Sequence, residues 1–387
     1  MKEKYHPRRS WILILVMLFT VGLLWSWLMM PGQVVETAEV ITDGIAAPSW
    51  YTFRLTDEPV FRELWEGGGV DIYENYILWA EGDVGLGGGT PSCDYSGGTA
   101  SPKWQLFPQI PLGRSNIDIC IYDRRTGLVS HLIDNDDGDT SPAMHGDWVA
   151  FDREFINNPH LFLFNIVTAQ EIKVLGADGV SDPAIYGDWV AYSDIYGGQM
   201  FAYRISTDEL FMLTPYSSIS NVDPDIYDQT IVWRRISGGD SNIVAYDLGS
   251  QTMFTLSARL GPEWNPKIYG DIVVWDWNND IYGYNLSTSQ YMTITNDPFS
   301  QSMPDIYENL VVWRDDRHGR WDIYGINLQT SEIFSVTDGT NPVADIYYPV
   351  IWDNVVAWHG PWQDLESGAA AAIKMSDFSF MPLFNNP

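Results

Sequence analysis

The side chains in this sequence whose types and spacing could do chemistry are carboxylates. No Gly-x-Ser-x-Gly motif is present, so the sequence lacks the nucleophile turn of an α/β-hydrolase. No histidine pair has the His-x-x-x-His spacing of a zinc site. The histidines are isolated along the chain, at His6, His131, His145, His160, His318 and His359. Any catalytic or metal-binding role would therefore have to fall to aspartates.

The densest acidic run is the segment 134–139, Asp-Asn-Asp-Asp-Gly-Asp. Its oxygen density is of the kind that Ca²⁺ prefers, although it lacks the ligand spacing and the twelfth-position glutamate of an EF-hand loop. Two interpretations stay open: a weak calcium site or a solvated turn between two repeats. The candidate ligands are Asp134, Asp136, Asp137 and Asp139.

A second group of polar residues is predicted to surround one mouth of a central channel. Asp182, Asp223 and Asn265 each stand directly before the proline that begins an inner strand. Asp276 and Asp315 follow the second strand of their repeats and are expected on the same face. Such an acidic face suits a cation or a basic partner. The alternative is that each aspartate only stabilises a turn through its carboxylate.

These residues are placed by a ten-residue segment that recurs along the chain. The segment Pro183–Tyr192 reads as a strand, a tight turn and a second strand. Its copies span Val70–Trp79, Pro142–Phe151, Pro224–Trp233, Pro266–Trp275, Pro304–Trp313 and Pro349–Trp358. A period of about 40 residues with several short strands is typical of β-propellers. We therefore predict an all-β fold, a seven-bladed β-propeller of four-stranded antiparallel blades.

The repeat starting at Pro266 shows the four strands of one predicted blade. They cover 266–269, 272–275, 281–286 and 290–295. Residues 51–56 resemble the last strand of a repeat, but the three strands that precede it in other repeats are missing from the sequence before residue 51. We expect them to complete the final blade, which would close the ring and remove exposed sheet edges. The propeller is thus predicted over 51–376, with a C-terminal tail at 377–387.

An insertion at 81–116 interrupts the first repeat, where the spacing between copies rises to roughly 70 residues. Loops of this length are often functional, although a segment without fixed structure is an equally good interpretation. Cys93 lies in the insertion and Cys120 just after it. Outside the cytoplasm the two could form a disulfide, while two free thiols remain the alternative.

The N-terminal residues 11–30 form an uncharged apolar run that is long enough to cross a bilayer as a helix. Residues 1–10 carry four basic side chains, which predicts a cytoplasmic N-terminus and an extracytoplasmic propeller, joined by a tether at 31–50. We favour a single-pass signal anchor. A cleaved signal peptide, and hence a secreted protein, is the alternative.

The charge balance excludes a nucleic-acid partner. The chain has 21 Lys and Arg against 51 Asp and Glu, a net charge of -30. This charge repels phosphate backbones and anionic lipid headgroups. The expected partner is a protein or a glycan outside the membrane, with no certain cofactor apart from the candidate Ca²⁺.

The repeated patterns Pro-x-Ile-Tyr-Gly-Asp-x-Val-Val-Trp and Asp-Ile-Tyr-x-Tyr-Asn-Leu-x-Thr resemble the propeller repeat of TolB-type domains, in the variant found in cell-surface proteins. Segment 321–330 is the best copy of the second pattern. The resemblance covers about 51–376 and implies a binding or scaffolding module without shared catalytic residues. The oligogalacturonate lyases are similar in size, but the metal-dependent histidine cluster of that family has no counterpart here.

Two functional hypotheses follow. In the first, the protein is a membrane-anchored, extracytoplasmic binding or assembly scaffold that acts through its acidic face. In the second, it is a carbohydrate-active lyase or hydrolase that uses paired carboxylates at the channel mouth. Such catalysis needs two carboxylates within several ångströms of each other, and Asp182 and Asp223 are the candidates.

Overall fold

The repeated Pro-x-Ile-Tyr segments form the innermost strands of a β-propeller. The computed structural model describes residues 50–54, 70–82, 117–126, 128–133, 137–154, 158–257, 259–337, 347–353, 355–360 and 370–376. The predicted anchor 11–30, the tether, most of the insertion and the tail lie outside these residues. Within the described part, no helix is long and apolar enough to cross a membrane.

The described residues form 28 strands, in chain order. The first half comprises β1 Trp50–Arg54, β2 Val70–Tyr73, β3 Tyr76–Gly82, β4 Ile117–Asp123, β5 Leu128–Ile133, β6 Gly138–His145, β7 Trp148–Glu154, β8 Pro159–Asn165, β9 Gln170–Asp178, β10 Val180–Tyr186, β11 Trp189–Asp194, β12 Met200–Arg204, β13 Glu209–Met212 and β14 Ser220–Tyr227. The second half comprises β15 Thr230–Ser237, β16 Asp240–Asp247, β17 Thr252–Thr255, β18 Glu263–Tyr269, β19 Ile272–Trp277, β20 Asp280–Asn285, β21 Gln290–Thr293, β22 Gln301–Tyr307, β23 Leu310–Asp315, β24 Asp322–Asn327, β25 Glu332–Ser335, β26 Tyr347–Trp352, β27 Val355–Gly360 and β28 Ala370–Ser376.

The described strands pair into six sheets, so the prediction of seven separate blades is wrong. Five sheets are four-stranded, and the sixth has eight strands, β2 to β9. The difference arises from one parallel backbone pair, Ile117 with Gly138, which joins β4 to β6. Apart from that pair, neighbouring strands within each sheet are antiparallel, and seven inner strands, one per repeat, still surround the centre.

The first strand of the chain completes the sheet formed by its last strands. β1 pairs antiparallel with β28, from Trp50 opposite Ser376 to Arg54 opposite Ala372. The resulting order is β1-β28-β27-β26. Without β1, the edge of β28 would present unpaired backbone groups to solvent.

Six of the seven inner strands begin earlier than the sequence predicts, because each of the six contains a bulge before its proline. The seventh, β2, has no proline and begins at Val70 as predicted. β18 starts at Glu263 rather than Pro266, and its register shifts between Trp264 and Lys267. Proline has no N–H to donate to the ladder, so a bulge places it where no ladder bond is needed. The residue before the proline has positive φ in six inner strands: Ser141, Asp182, Asp223, Asn265, Met303 and Tyr348.

The hydrophobic core lies between neighbouring sheets. The second strand of each repeat is buried on both faces, which explains why it lacks polar alternation. Trp233, Trp275 and Trp313 lie at the same position of this strand in successive repeats and are fully buried. These repeated tryptophans serve packing, since aromatic side chains bury the largest area.

We predict that removing β1 destabilises the propeller. A chain that starts at residue 56 lacks β1, whereas a chain that starts at residue 46 keeps it and serves as the matched control. Losing a five-residue ladder should lower the free energy of unfolding by on the order of 3 kcal/mol and promote association through the exposed β28 edge. Urea midpoints and light scattering measure both effects. Equal midpoints for the two chains would show that β1 is dispensable.

Candidate functional site

The seven inner strands enclose a central cavity of about 650 Å³. In a strand, alternate residues point to opposite faces. The second and fourth residues of each Pro-x-Ile-Tyr segment therefore face the cavity, while the isoleucine between them is buried in the core, as in β14 and β22. The cavity consequently has a middle layer from the second residues, an aromatic ring from the fourth residues, and a mouth at the bulges.

The aromatic ring closes on itself around one end of the cavity. Neighbouring ring centroids are between 4.1 Å (His145 to Tyr186) and 4.9 Å (Tyr269 to Tyr307) apart, all in tilted contact. The cycle consists of Tyr73, His145, Tyr186, Tyr227, Tyr269, Tyr307 and Trp352, and Trp352 contacts Tyr73 again at 4.5 Å. The five tyrosines and Trp352 line the cavity and also pack against the core clusters behind them.

The aromatic ring carries no charge at neutral pH. The Gly187 N–H donates to Nδ1 of His145 over 3.0 Å, and burial lowers the pKa of His145. Burial, followed by a hydrogen bond with Tyr227, raises the pKa of Tyr186 to about 12. The ring thus offers aromatic faces and hydroxyl groups to the cavity.

The middle layer contains four ionisable side chains: Asp71, Asp225, Asp305 and Lys267. Each aspartate accepts a backbone N–H from the next inner strand. Asp71 accepts from Met144 (2.5 Å), Asp225 from Ile268 (2.7 Å) and Asp305 from Ile351 (2.7 Å). These bonds tie neighbouring repeats together and fix the carboxylates at the cavity wall.

Burial favours the protonated forms of the middle-layer carboxyl groups. Burial raises the pKa of Asp71 to about 6 and that of Asp305 to about 7, because the charged forms are deprived of water. Burial also disfavours the Lys267 ammonium, but Asp225, Asp305 and Asp71 outweigh this effect and raise the pKa of Lys267. Lys267 is therefore a cation held by surrounding acids.

The mouth brings together three of the five residues that the sequence predicts there. Asp182, Asp223 and Asn265 all line the cavity. Asp223 forms an ion pair with Arg234 over 2.8 Å, and the Arg234 guanidinium lies 3.8 Å from the Trp264 ring centroid. Trp264 keeps 43% of its surface exposed. One side of the mouth is acidic and the other is aromatic.

Asp276 and Asp315, the other two predicted residues, do not line the cavity. Asp276 is buried and accepts a hydrogen bond from the Asn265 amide over 2.7 Å. Asp315 is fully buried, where it pairs with Arg317 and accepts the Trp313 indole N–H. Both carboxylates hold other side chains in place instead of facing a partner.

The acidic run at 134–139 is described only in part. Asp139 is fully buried and its carboxylate pairs with Arg153 over 2.6 Å, so it does not lie in a solvated turn. Asp137 is partly buried, and Asp134 and Asp136 lie outside the described residues. Over the described ranges, no group of three His, Cys, Asp or Glu side chains is placed to hold a metal ion. The calcium site remains a prediction.

The cysteine pairing is likewise described on one side only. Cys120 is buried in β4 and takes part in a disulfide bond. Cys93, its expected partner, lies outside the described residues together with residues 83–116 of the insertion.

Asp152 stands just behind the mouth and was not singled out from the sequence. Its side chain is 8% exposed, and Oδ2 accepts the Thr140 hydroxyl over 2.5 Å. Burial, with the charge of Asp182 adding to it, raises the pKa of Asp152 to about 7. Asp152 directly follows Phe151, the aromatic residue that ends the copy Pro142–Phe151. An acidic residue at that position is the sequence signal that could have revealed it.

The comparisons with known proteins support the fold. No protein-family model matches the chain, and no curated protein matches it by sequence. The β-propeller domain of the trilobed protease from Pyrococcus furiosus aligns with a TM-score of 0.55 and 11% identity, over 83% of this chain and 99% of that one. The acylaminoacyl peptidase of Pyrococcus horikoshii aligns with a TM-score of 0.54 and 11% identity, over 76% of this chain and 48% of that one.

TolB from Acinetobacter baumannii also matches, with a TM-score of 0.43 and 15% identity. The alignment covers 56% of this chain and 58% of TolB, and a superposition this loose adds nothing to the assignment. The protein is an all-β propeller of antiparallel strands, and similarity at these identities describes the fold alone.

We predict that Asp152→Asn changes the pH dependence of stability. A carboxyl whose pKa is 3.8 when unfolded and about 7 when folded favours the folded state at low pH, and this contribution is lost as pH rises towards 7. The free energy of unfolding of the variant, relative to that of the native chain, should therefore increase as the pH rises from 5 to 8. The increase is at most about 1.4 kcal/mol per unit of pKa shift.

Urea denaturation at both pH values measures this difference. Glu209→Gln, which removes an exposed carboxylate on β13, is the charge-matched control. An Asp152→Asn difference that stays constant between pH 5 and pH 8 would refute the raised pKa.

Proposed function

We propose that this protein is a binding module whose ligand enters the central cavity through the mouth formed by Asp182, Asp223, Arg234 and Trp264. The observation that carries the proposal is the cavity itself. Its volume of about 650 Å³ falls in the usual range of small-molecule and side-chain sites. It combines fixed charges, hydroxyl groups and an exposed aromatic face, which are the groups that orient a ligand.

The acidic balance supports a cationic or uncharged ligand. Five aspartates line the cavity against two basic side chains: Asp71, Asp182, Asp223, Asp225 and Asp305 against Arg234 and Lys267. Potentials of one sign in a cleft concentrate ligands of the other sign. We therefore propose that the acidic surface through which the scaffold binds its partner is the part of the mouth that contains Asp182 and Asp223.

Catalysis by the two mouth carboxylates is the weaker candidate. Burial raises the pKa of Asp223, and Asp182 adds to this effect, as a general acid would require. However, the carboxylate of Asp223 is held by Arg234 at 2.8 Å, which lowers its basicity and occupies its oxygen. The geometry therefore favours ligand binding over hydrolysis or elimination.

Residues 11–30 are proposed to anchor the propeller outside the cytoplasmic membrane. The apolar run and the basic residues before it support this placement. The Pro-x-Ile-Tyr-Gly-Asp pattern supports a place among TolB-type repeat proteins, which serve mainly as binding and scaffolding modules. In this setting the ligand or partner, a protein segment or a glycan, is extracytoplasmic.

We predict that Trp264→Ala weakens ligand binding about tenfold or more, as expected for an aromatic anchor at a binding site. The full chain is titrated by calorimetry with maltotetraose, tetralysine and tetraglutamate. At least one of the first two should bind, and tetraglutamate should not, because the mouth is acidic. Phe254→Ala is the control, since Phe254 is 40% exposed but lies on the outer strand β17.

Two results would overturn the proposal. In one, none of the three probes binds to the full chain. In the other, Trp264→Ala and Phe254→Ala have the same effect on the probe that binds, which would place the ligand away from the mouth.

A further inference from the structure

The middle layer of the cavity is asymmetric. On one arc, Asp225, Lys267 and Asp305 occupy consecutive inner strands. On the opposite arc, Ala143 and Ala184 occupy the two strands between Asp71 and Asp225. A methyl group fills little of the space that a lysine or aspartate side chain takes up. We call the space bounded by Asp71, Ala143, Ala184 and Asp225 the alanine bay.

The chain already places one ammonium ion in this layer. Lys267 lies among carboxylates, and the charges of Asp225, Asp305, Asp71 and Asp223 all raise its pKa. The layer nevertheless holds three carboxylates and one ammonium. The negative charge in excess is divided between Asp71 and Asp225, which flank the bay, and Asp305, which neighbours Lys267.

The wall of the bay towards the mouth adds a further acceptor. Asp182 lies on the same strand as Ala184, two residues before it, and lines the cavity. Behind it, the side chain of Asp152 is more than nine-tenths buried, and its Oδ1 has no hydrogen-bond partner within the described part of the chain. The negative charge of Asp182 adds to the burial that raises the pKa of Asp152.

The floor of the bay is aromatic and uncharged. It consists of Tyr73, His145, Tyr186 and Tyr227, the fourth residues of the four strands that border the bay. His145 accepts a hydrogen bond at Nδ1 and so is not a competing cation. Aromatic faces attract cations, most strongly where water is excluded.

We propose that the alanine bay binds a primary ammonium ion carried on a short unbranched chain, with Asp71, Asp182 and Asp225 as its counter-ions and the tyrosine rings as its floor. The proposal rests on the proposed function and names the ligand class of the same cavity. An ammonium group has three N–H donors that can be divided among separate carboxylates. The stem would leave through the mouth, past Trp264.

An inorganic cation fits the same groups less well. Calcium needs six to eight oxygen ligands at 2.3–2.6 Å, and the carboxylates of this layer are separated by whole strands. Over the described ranges no three acidic, histidine or cysteine side chains converge on one point. An ammonium ion does not need such a closed shell of oxygens, because it also gains from the summed negative charge of the wall and from the aromatic floor.

The ligand should bind more tightly as pH rises, because it favours ionised carboxylates. The pKa of Asp71 is about 6, and a bound cation would lower it and release a proton. The other charged groups that face the cavity are Asp182, Asp223, Asp225, Asp305, Arg234 and Lys267. Affinity should increase severalfold between pH 5.5 and pH 7.5.

The test is calorimetric titration of the full chain with n-butylammonium, with n-butanol as the uncharged probe of the same shape. We expect n-butylammonium to bind at least tenfold more tightly than n-butanol. Asp71→Asn, which keeps the size and the N–H acceptor, should weaken n-butylammonium at least tenfold. Ala143→Leu, which fills the bay, should abolish binding. Glu209→Gln on the outer strand should leave it unchanged.

A lysine with both termini capped distinguishes the two sources of the ammonium group. Tighter binding of the capped lysine than of n-butylammonium assigns the bay to a peptide side chain. Equal or weaker binding assigns it to a free amine. Both results support the proposal.

The proposal is overturned if n-butanol binds as tightly as n-butylammonium, or if Asp71→Asn behaves like Glu209→Gln. Binding of maltotetraose without binding of any amine would leave the binding function standing and remove only the ammonium ligand. Failure of all the probes would remove both.

Discussion

The structure depends on the close approach of seven inner strands to one axis. Their pleat divides the side chains of Pro-x-Ile-Tyr into those that face the cavity and those that enter the core. The bulge before the proline then turns the chain outward at the mouth. Three of the seven contacts between neighbouring inner strands carry a carboxylate that accepts the next strand's backbone N–H, from Asp71, Asp225 and Asp305. The groups that hold the centre together are thus the groups that charge the cavity.

This double role explains the electrostatics of the cavity. A carboxylate that accepts backbone N–H groups is stabilised in its charged form, whereas burial opposes that form. Burial wins at Asp71 and Asp305, whose pKa values are about 6 and about 7. Lys267 offsets part of the cost by placing an ammonium beside Asp225 and Asp305. One ammonium among three carboxylates leaves the cavity acidic, and two of these carboxylates, Asp71 and Asp225, flank the part of the wall that is alanine.

The fold was largely predictable from the sequence, but the details of the site were not. The recurring Pro-x-Ile-Tyr segment predicts the strands and the propeller class, because its period and turn residues are local. The single Ile117–Gly138 pair that joins two sets of four strands depends on three-dimensional placement. The burial of Asp139 against Arg153 and of Asp315 against Arg317 also depends on it. The sequence around a turn does not distinguish an aspartate that faces solvent from one that pairs with an arginine. The sequence interpretation therefore assigned too many aspartates to the acidic face.

The middle-layer residues that the sequence interpretation missed share one position, the variable second residue of the repeat. In Pro-x-Ile-Tyr the proline belongs to the bulge, the isoleucine to the core and the tyrosine to the aromatic ring. Each of these is therefore held to one residue type in almost every copy. The second residue faces the cavity and is not held to one residue type, since it is aspartate, lysine, alanine or valine in different copies. Under the proposed binding function, the ligand would therefore be recognised where the copies differ. That reasoning places recognition at Asp71, Ala143, Ala184, Asp225 and Lys267, and leaves the repeated tryptophans to hold the sheets together.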